Sequence, residues 1–138
     1  MNIKEVIGKE FQSERIASTD IHNAGSIFGY VFRQVIEFHD NGRLTMINKL
    51  EKNKGALSDW KEYRENEKWE GTYTFDSDDK HVKCSLLKTG TTNKKTIYAD
   101  FVDKDILICE MYENGSDYPE GGQIFEGIKK VANTVYSK

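Results

Sequence analysis

Residues 28–50 read FGYVFRQVIEFHDNGRLTMINKL. Phe28, Tyr30, Phe32, Gln34, Ile36 and Phe38 alternate with Gly29, Val31, Arg33, Val35 and Glu37. A period of two is that of a strand with one buried face. Asp40-Asn41-Gly42 interrupts the pattern, and Leu44, Met46, Asn48 and Leu50 resume it. A two-residue turn at Asn41-Gly42 would pair Phe38 with Thr45. A three-residue loop closed by a left-handed glycine bulge pairs His39 with Arg43 instead. The second register sets Phe38 opposite Leu44, Ile36 opposite Met46 and Phe32 opposite Leu50. Apolar then meets apolar throughout, and a one-residue slip would invert the faces, so this register is the expected one. It also places Gln34 opposite Asn48 on an otherwise apolar face. Buried amides need partners. Either the two bond each other or twist to the rim, or they line a cavity and meet a ligand's polar group.

The same rhythm continues outward from this hairpin. Trp69, Gly71, Tyr73 and Phe75 share a face and match Val82, Cys84 and Leu86 across the Asp76–Lys80 turn. Ile97, Ala99 and Phe101 match Leu107, Cys109 and Met111 across Asp103-Lys104-Asp105. Glu113-Asn114-Gly115-Ser116 reads as a further turn, and a last short strand is expected near Gln123–Glu126. Residues 52–68 form a polar connector whose large aromatics are Trp60 and Tyr63. At the N-terminus, Ile3, Val6, Ile7 and Phe11 have helical spacing, which predicts a short amphipathic helix over 2–13. Ile128, Val131, Ala132 and Val135 predict a second helix at the C-terminus. The expected fold is mainly β: an antiparallel up-and-down barrel, or a strongly curved sheet, of about seven or eight strands with short terminal helices. There is no βαβ alternation to make a parallel sheet. Residues 1–138 read as one domain.

Small residues sit beside large ones on the inward faces: Gly71 beside Tyr73, Ala99 beside Phe101. They serve either strand bending at barrel corners or space for a ligand. In a barrel of about eight strands, the interior is filled by side chains or holds one small ligand.

Twelve per cent aromatic residues, placed in short alternating runs, argue for a packed core. The net charge is −3, and Lys94-Lys95 and Lys129-Lys130 are short clusters rather than a basic stripe. Duplex binding needs clustered positive charge to displace counterions, so no nucleic-acid partner is expected. No run approaches the roughly 18 apolar residues of a membrane span. The first residues lack an apolar leader, which points to the cytoplasm, although a leader removed and replaced by Met1 would leave the same sequence. Cys84 and Cys109 each lie in an apolar run and are expected to be reduced, buried thiols. Monomer and homo-oligomer both remain open.

Recognised chemical signatures are absent from the sequence. His22, His39 and His81 form no His-x-x-x-His or His-x-His pair, and no Cys-x-x-Cys occurs, so no metal is expected. Asp76-Ser77-Asp78-Asp79 lacks the glycine and distal glutamate of a calcium loop. No phosphate-binding or dinucleotide glycine motif appears, and no cofactor is expected. His39 and His81 fall at hairpin ends, where solvated flanking residues are common. Glu110 falls on the outward face, with Ile106 and Ile108.

The Tyr30–Leu50 hairpin with its Asp40-Asn41-Gly42-Arg43-Leu44 turn, together with Trp69-Glu70-Gly71-Thr72-Tyr73, resembles the lipocalin-like, calycin-type small barrels. The likeness covers about residues 27–126 and is one of pattern. The Gly-x-Trp of that group's first strand is missing, as is its basic residue near the last strand unless Lys129 or Lys130 serves. The helix pair and Arg-x-Tyr clamp of the intracellular fatty-acid-binding proteins have no match. The resemblance implies a fold and a ligand-binding habit. The leading expectation is a binding protein for a small, largely apolar ligand, walled by Tyr30, Phe32, Trp69, Tyr73 and Phe101 and oriented by Gln34 and Asn48. The alternative is a filled barrel serving protein interaction, with Trp60 and Tyr63 as contacts. A third reading is a barrel-type isomerase or hydratase, which needs a polar pair such as His81 with an inward carboxylate; an enzyme is the less favoured class.

Overall fold

A computed structural model describes residues 3–19, 29–53, 67–78, 80–116 and 122–129. It contains nine strand segments: β1 Lys9–Gln12, β2 Ile16–Thr19, β3 Gly29–Phe38, β4 Arg43–Asn53, β5 Trp69–Phe75, β6 His81–Lys88, β7 Lys94–Asp103, β8 Ile106–Glu113 and β9 Gly122–Lys129. Each of β3 to β9 pairs antiparallel with the next, and β1 closes the ring by pairing with both β9 and β3. β1 and β2 follow one another along β3 and act as one kinked strand. The result is a closed, eight-stranded antiparallel barrel, which leaves no long free edge between β9 and β3 at the level of β1.

The register of the deciding hairpin is the three-residue one. Phe38 faces Leu44, Ile36 faces Met46, Gln34 faces Asn48 and Phe32 faces Leu50. His39 N–H donates to Arg43 O at 2.8 Å, and Gly42 takes a φ of 77°, the left-handed conformation that a bulge glycine supplies without strain. The other two hairpins also pair as expected, Tyr73 with Cys84 and Ala99 with Cys109. A bulge between Phe101 and Asp103 lets Ile106 pair with Asp103.

The N-terminal helix expected over 2–13 is not formed. Ile3–Glu5 is a single 3₁₀ turn, Gly8 at φ 89° ends it, and Lys9–Gln12 is strand. The helical spacing reflects burial on two different elements: Val6 on the turn and Phe11 on β1 are both fully buried. Phe11 pairs with Ile36 on one side and Gly127 on the other, and this closure of the barrel outweighs local helical spacing. At the other terminus β9 runs through Lys129, so Ile128 is an outward strand residue rather than the start of a helix; residues 130–138 lie outside those described. The last strand is thus longer than the expected Gln123–Glu126.

One half of the barrel is packed solid. Phe11, Phe38, Phe101 and Phe125, with Ile36, Leu44, Ile97, Leu107 and Met111, are almost fully buried. The Phe11 ring meets Phe38 and Phe101 edge-on, with centroids 5.8 and 5.5 Å away, and Phe75 stacks on Phe101 at 5.8 Å. Such contacts add about 0.5–1.5 kcal/mol each beyond the burial itself. The small residues on the inward faces serve this packing. A Cβ on Gly71 would fall 1.8 Å from Ser85 O, and one on Gly127 would fall 2.8 Å from the Phe11 ring. Glycine therefore lets β5 approach β6 at a corner, and lets Phe11 fill the space beside β9.

Candidate functional site

The barrel's two ends differ. The β3–β4, β5–β6 and β7–β8 turns gather at one end, above the phenylalanine cluster. There the 3₁₀ turn is fastened by Lys9, whose Nζ donates to Lys104 O and pairs with Asp105 Oδ1 at 2.5 Å. The opposite end holds a cup of about 210 Å³, lined by residues that include Gln34, Met46, Asn48, Glu67, Trp69, Lys88, Lys95 and Glu113. Three of the expected ligand-binding residues, Gln34, Asn48 and Trp69, come together here.

Gln34 is held rigidly. Ser13 N–H donates to Gln34 O, and Gln34 N–H donates to Ser13 Oγ, both at 2.9 Å. The Ser13 carbonyl is diverted to Arg33 Nη1 at 2.8 Å, so the serine hydroxyl replaces it as acceptor across the β1–β2 kink. Yet the Gln34 side-chain Oε1 is buried and has no hydrogen-bond partner among the described residues. An unsatisfied buried acceptor costs about 1–3 kcal/mol. Gln34 and Asn48 do not resolve each other's needs: Asn48 Nδ2 donates instead to Glu67 Oε2, at 3.5 Å.

The floor of the cup is an ammonium on an indole. Lys95 is only 5% exposed, with Nζ 4.6 Å from the Trp69 ring centroid and 3.6 Å from Glu113 Oε1. A cation over tryptophan is attracted by the ring's quadrupole, more strongly when desolvated. Sequence reading took Lys94-Lys95 as a surface cluster and missed Lys95 and Glu113. The signal was present: carried two residues further, the inward face of Ile97 includes Lys95, and that of Met111 includes Glu113.

The remaining expected residues lie elsewhere. Tyr73 and Phe101 belong to the packed half, and the Tyr73 hydroxyl donates to His39 O. Burial raises the Tyr73 pKa, so it stays a neutral donor. Phe32 packs separately with Ile16 and Leu50. Tyr30 pairs across from Asn53, and its side chain is not among those described. Trp60, Tyr63 and His22 also lie outside the described residues.

A second buried acceptor without a partner among the described residues, Gln123 Oε1, borders a recess of about 280 Å³ with Ser13, Arg15 and Ile16. On the outer wall, His81 Nδ1 lies 2.5 Å from Asp78 Oδ2 and Nε2 lies 3.7 Å from Asp100 Oδ2. His81 is thus raised by Asp78, while backbone N–H groups of Lys80 and His81 and the His81 ring lower Asp78. His81 faces solvent, away from Glu113 in the cup, so the polar pair needed for the enzyme reading is not assembled by these two. Glu110 is exposed on the outer wall, as its register requires. Burial pushes the Cys84 thiol up to about 12 and raises Cys109 as well, which leaves both as unreactive core groups. Among the described residues, no cluster of three or more His, Cys, Asp or Glu could hold a metal, and no helix is long and apolar enough to cross a membrane.

No protein-family model, curated protein or solved structure matches this chain.

Proposed function

We propose that this chain is a lipocalin-like binding protein that holds a small molecule in the cup at the end of the barrel opposite the phenylalanine cluster. The observation that supports this reading is Gln34 Oε1, buried without a partner among the described residues in a cavity of about 210 Å³. A ligand N–H or O–H would complete it. Because the phenylalanine cluster occupies the other half, the ligand is less apolar than the aromatic sequence pattern implies. It meets amides and charges at Gln34, Asn48 and Lys95, with Met46 and Trp69 as the apolar floor. The cup is below the roughly 300–1,000 Å³ typical of drug-sized ligands, so the molecule is small. The test compares native and denatured masses of freshly purified protein. Extra mass that leaves on denaturation is expected, and the Gln34→Leu/Asn48→Leu double variant should lose it while remaining folded. Uptake unchanged by that pair would sink the assignment.

A second reading, a protein-interaction module, rests on a different surface. Tyr98, Val102, Ile108, Ile124 and Ile128 are exposed on the outer wall of β7–β9, and Ile108 pairs directly with Ile124. Exposed apolar patches often mark interfaces. If this reading holds, Ile108→Glu/Ile124→Glu would abolish a self-association seen by sedimentation; a monomer before and after would remove its support.

A further inference from the structure

The cup is dipolar. Its acceptors stand on the β3–β4 side: Gln34 Oε1 lacks a partner, and Glu67 reaches Asn48 across from it. Its cations, Lys88 and Lys95, stand on β6 and β7. Of the described charged groups in the lining, Glu113 alone departs from this division. It sits 3.6 Å from Lys95 and its side chain is 47% exposed, so it can turn outward at little cost. The deep charge is therefore positive and the deep orphan is an acceptor, within one cavity of about 210 Å³.

Resting on the binding reading above, we infer that the cup takes an amino-acid-sized zwitterion. Its carboxylate lies against Lys95 in the place that Glu113 holds. Its ammonium donates to Gln34 Oε1 and faces Glu67. A buried acceptor and a buried cation whose carboxylate partner is half exposed, in one small space, match a ligand carrying a donor and an anion. A purely apolar ligand would offer Gln34 no donor and Lys95 no anion to exchange for Glu113, and a simple anion would leave Gln34 Oε1 without a donor.

The experiment titrates alanine, propionate and ethylamine into the full ¹⁵N-labelled chain. It follows the Trp69 indole N–H and the Gln34 side-chain amide by NMR. Alanine is expected to shift both signals. Propionate should move the Trp69 signal alone and bind about tenfold or more weakly, as loss of a charge-assisted hydrogen bond implies. Ethylamine should bind more weakly than alanine by a similar factor. Lys95→Met should abolish the alanine response. Glu113→Gln, at a half-exposed site that spares the fold, should tighten alanine binding by about two- to fivefold by removing a competing anion. Propionate or ethylamine binding as well as alanine, or an unchanged response in Lys95→Met, overturns the zwitterion. If no probe shifts either signal but the purified protein retains another molecule in the cup, the zwitterion inference fails and the binding reading stands. If the cup retains nothing and answers no probe, both fail.

Discussion

The two halves of this barrel use the same strand alternation for opposite ends. In one, inward positions carry the buried Phe11, Phe38, Phe101 and Phe125, and the first three rings contact one another. In the other, the same strands place Gln34, Asn48, Lys88, Lys95 and Glu113 inward around a cavity. β3 shows the contrast within a single element, passing from Gln34 to Phe38 in four residues. The phenylalanine half makes closure favourable. That lets the polar half carry an unsatisfied amide and a buried ammonium, which a small barrel could not tolerate throughout.

The sharpest test of this division is Phe101→Ala. Phe101 touches Phe11, Phe38 and Phe75, so its removal opens a cavity that several strands would have to collapse to fill. A loss of about 3–5 kcal/mol is expected in urea unfolding. A loss below about 1 kcal/mol would mean that this half is not the stabilising one.

Gly127→Ala tests the same half by adding volume. The new methyl would meet the Phe11 ring at 2.8 Å, and that ring is fixed by its neighbours. A destabilisation of about 1–3 kcal/mol is expected from the same measurement. A neutral or stabilising outcome would show slack where the geometry shows none.

The packed half was far more legible in the sequence than the cup. Alternation with Asp40-Asn41-Gly42 specified the central register to the residue, because only one pairing keeps Phe38, Ile36 and Phe32 against apolar partners. Periodicity misled at Ile3–Phe11, where Gly8 divides two elements whose buried residues happen to fall at helical spacing. The role of Gly71 was left open by the sequence, since close approach and ligand space leave the same small residue in the chain. Gln34, Asn48 and Trp69 could be grouped from the sequence because they lie on recognisable faces, and the structure brings them to one cavity. Lys95 and Glu113 were missed because a charged residue at a strand end reads as solvated unless the face is followed to its last turn. Tyr73 and Phe101 were expected in the site because an aromatic strand residue looks alike in a wall and in a core. Only closure, which sets which rings meet, separates the two.

At the cup, the expected stability effect is smaller and its sign less adverse. Gln34→Leu/Asn48→Leu removes an acceptor that has no partner among the described residues and, with other Asn48 contacts, a long 3.5 Å hydrogen bond to Glu67. Replacing polar groups by apolar ones of similar shape is often neutral or stabilising. The double variant should therefore unfold within about 1 kcal/mol of the parent. A large loss would make these amides structural, and would erase the functional difference between the halves.

The smallest effect is expected at the Asp78–His81 pair, on the outer wall beside the packed end. Asp78 is held low by the Lys80 and His81 backbone N–H groups and by the His81 ring, and His81 is held high chiefly by Asp78. A lowered carboxylate stabilises the fold above its unfolded pKa and loses that contribution as pH falls through its folded value. A raised histidine stabilises below its unfolded pKa and loses that contribution as pH rises through its folded value. The pair is thus most favourable between about pH 4 and 6.5, the ordinary values of the two groups. Both residues are exposed, so the energetic effect is slight and the titration itself is the better readout. Asp78→Asn should lower the His81 titration midpoint toward 6.5, followed by the ring proton shifts, while Asp100 at 3.7 Å keeps part of the elevation. An unchanged midpoint would transfer the effect to Asp100 and detach it from the turn. A shift that also altered the Trp69 indole signal would couple the outer wall to the cup, and would break the independence of the two ends.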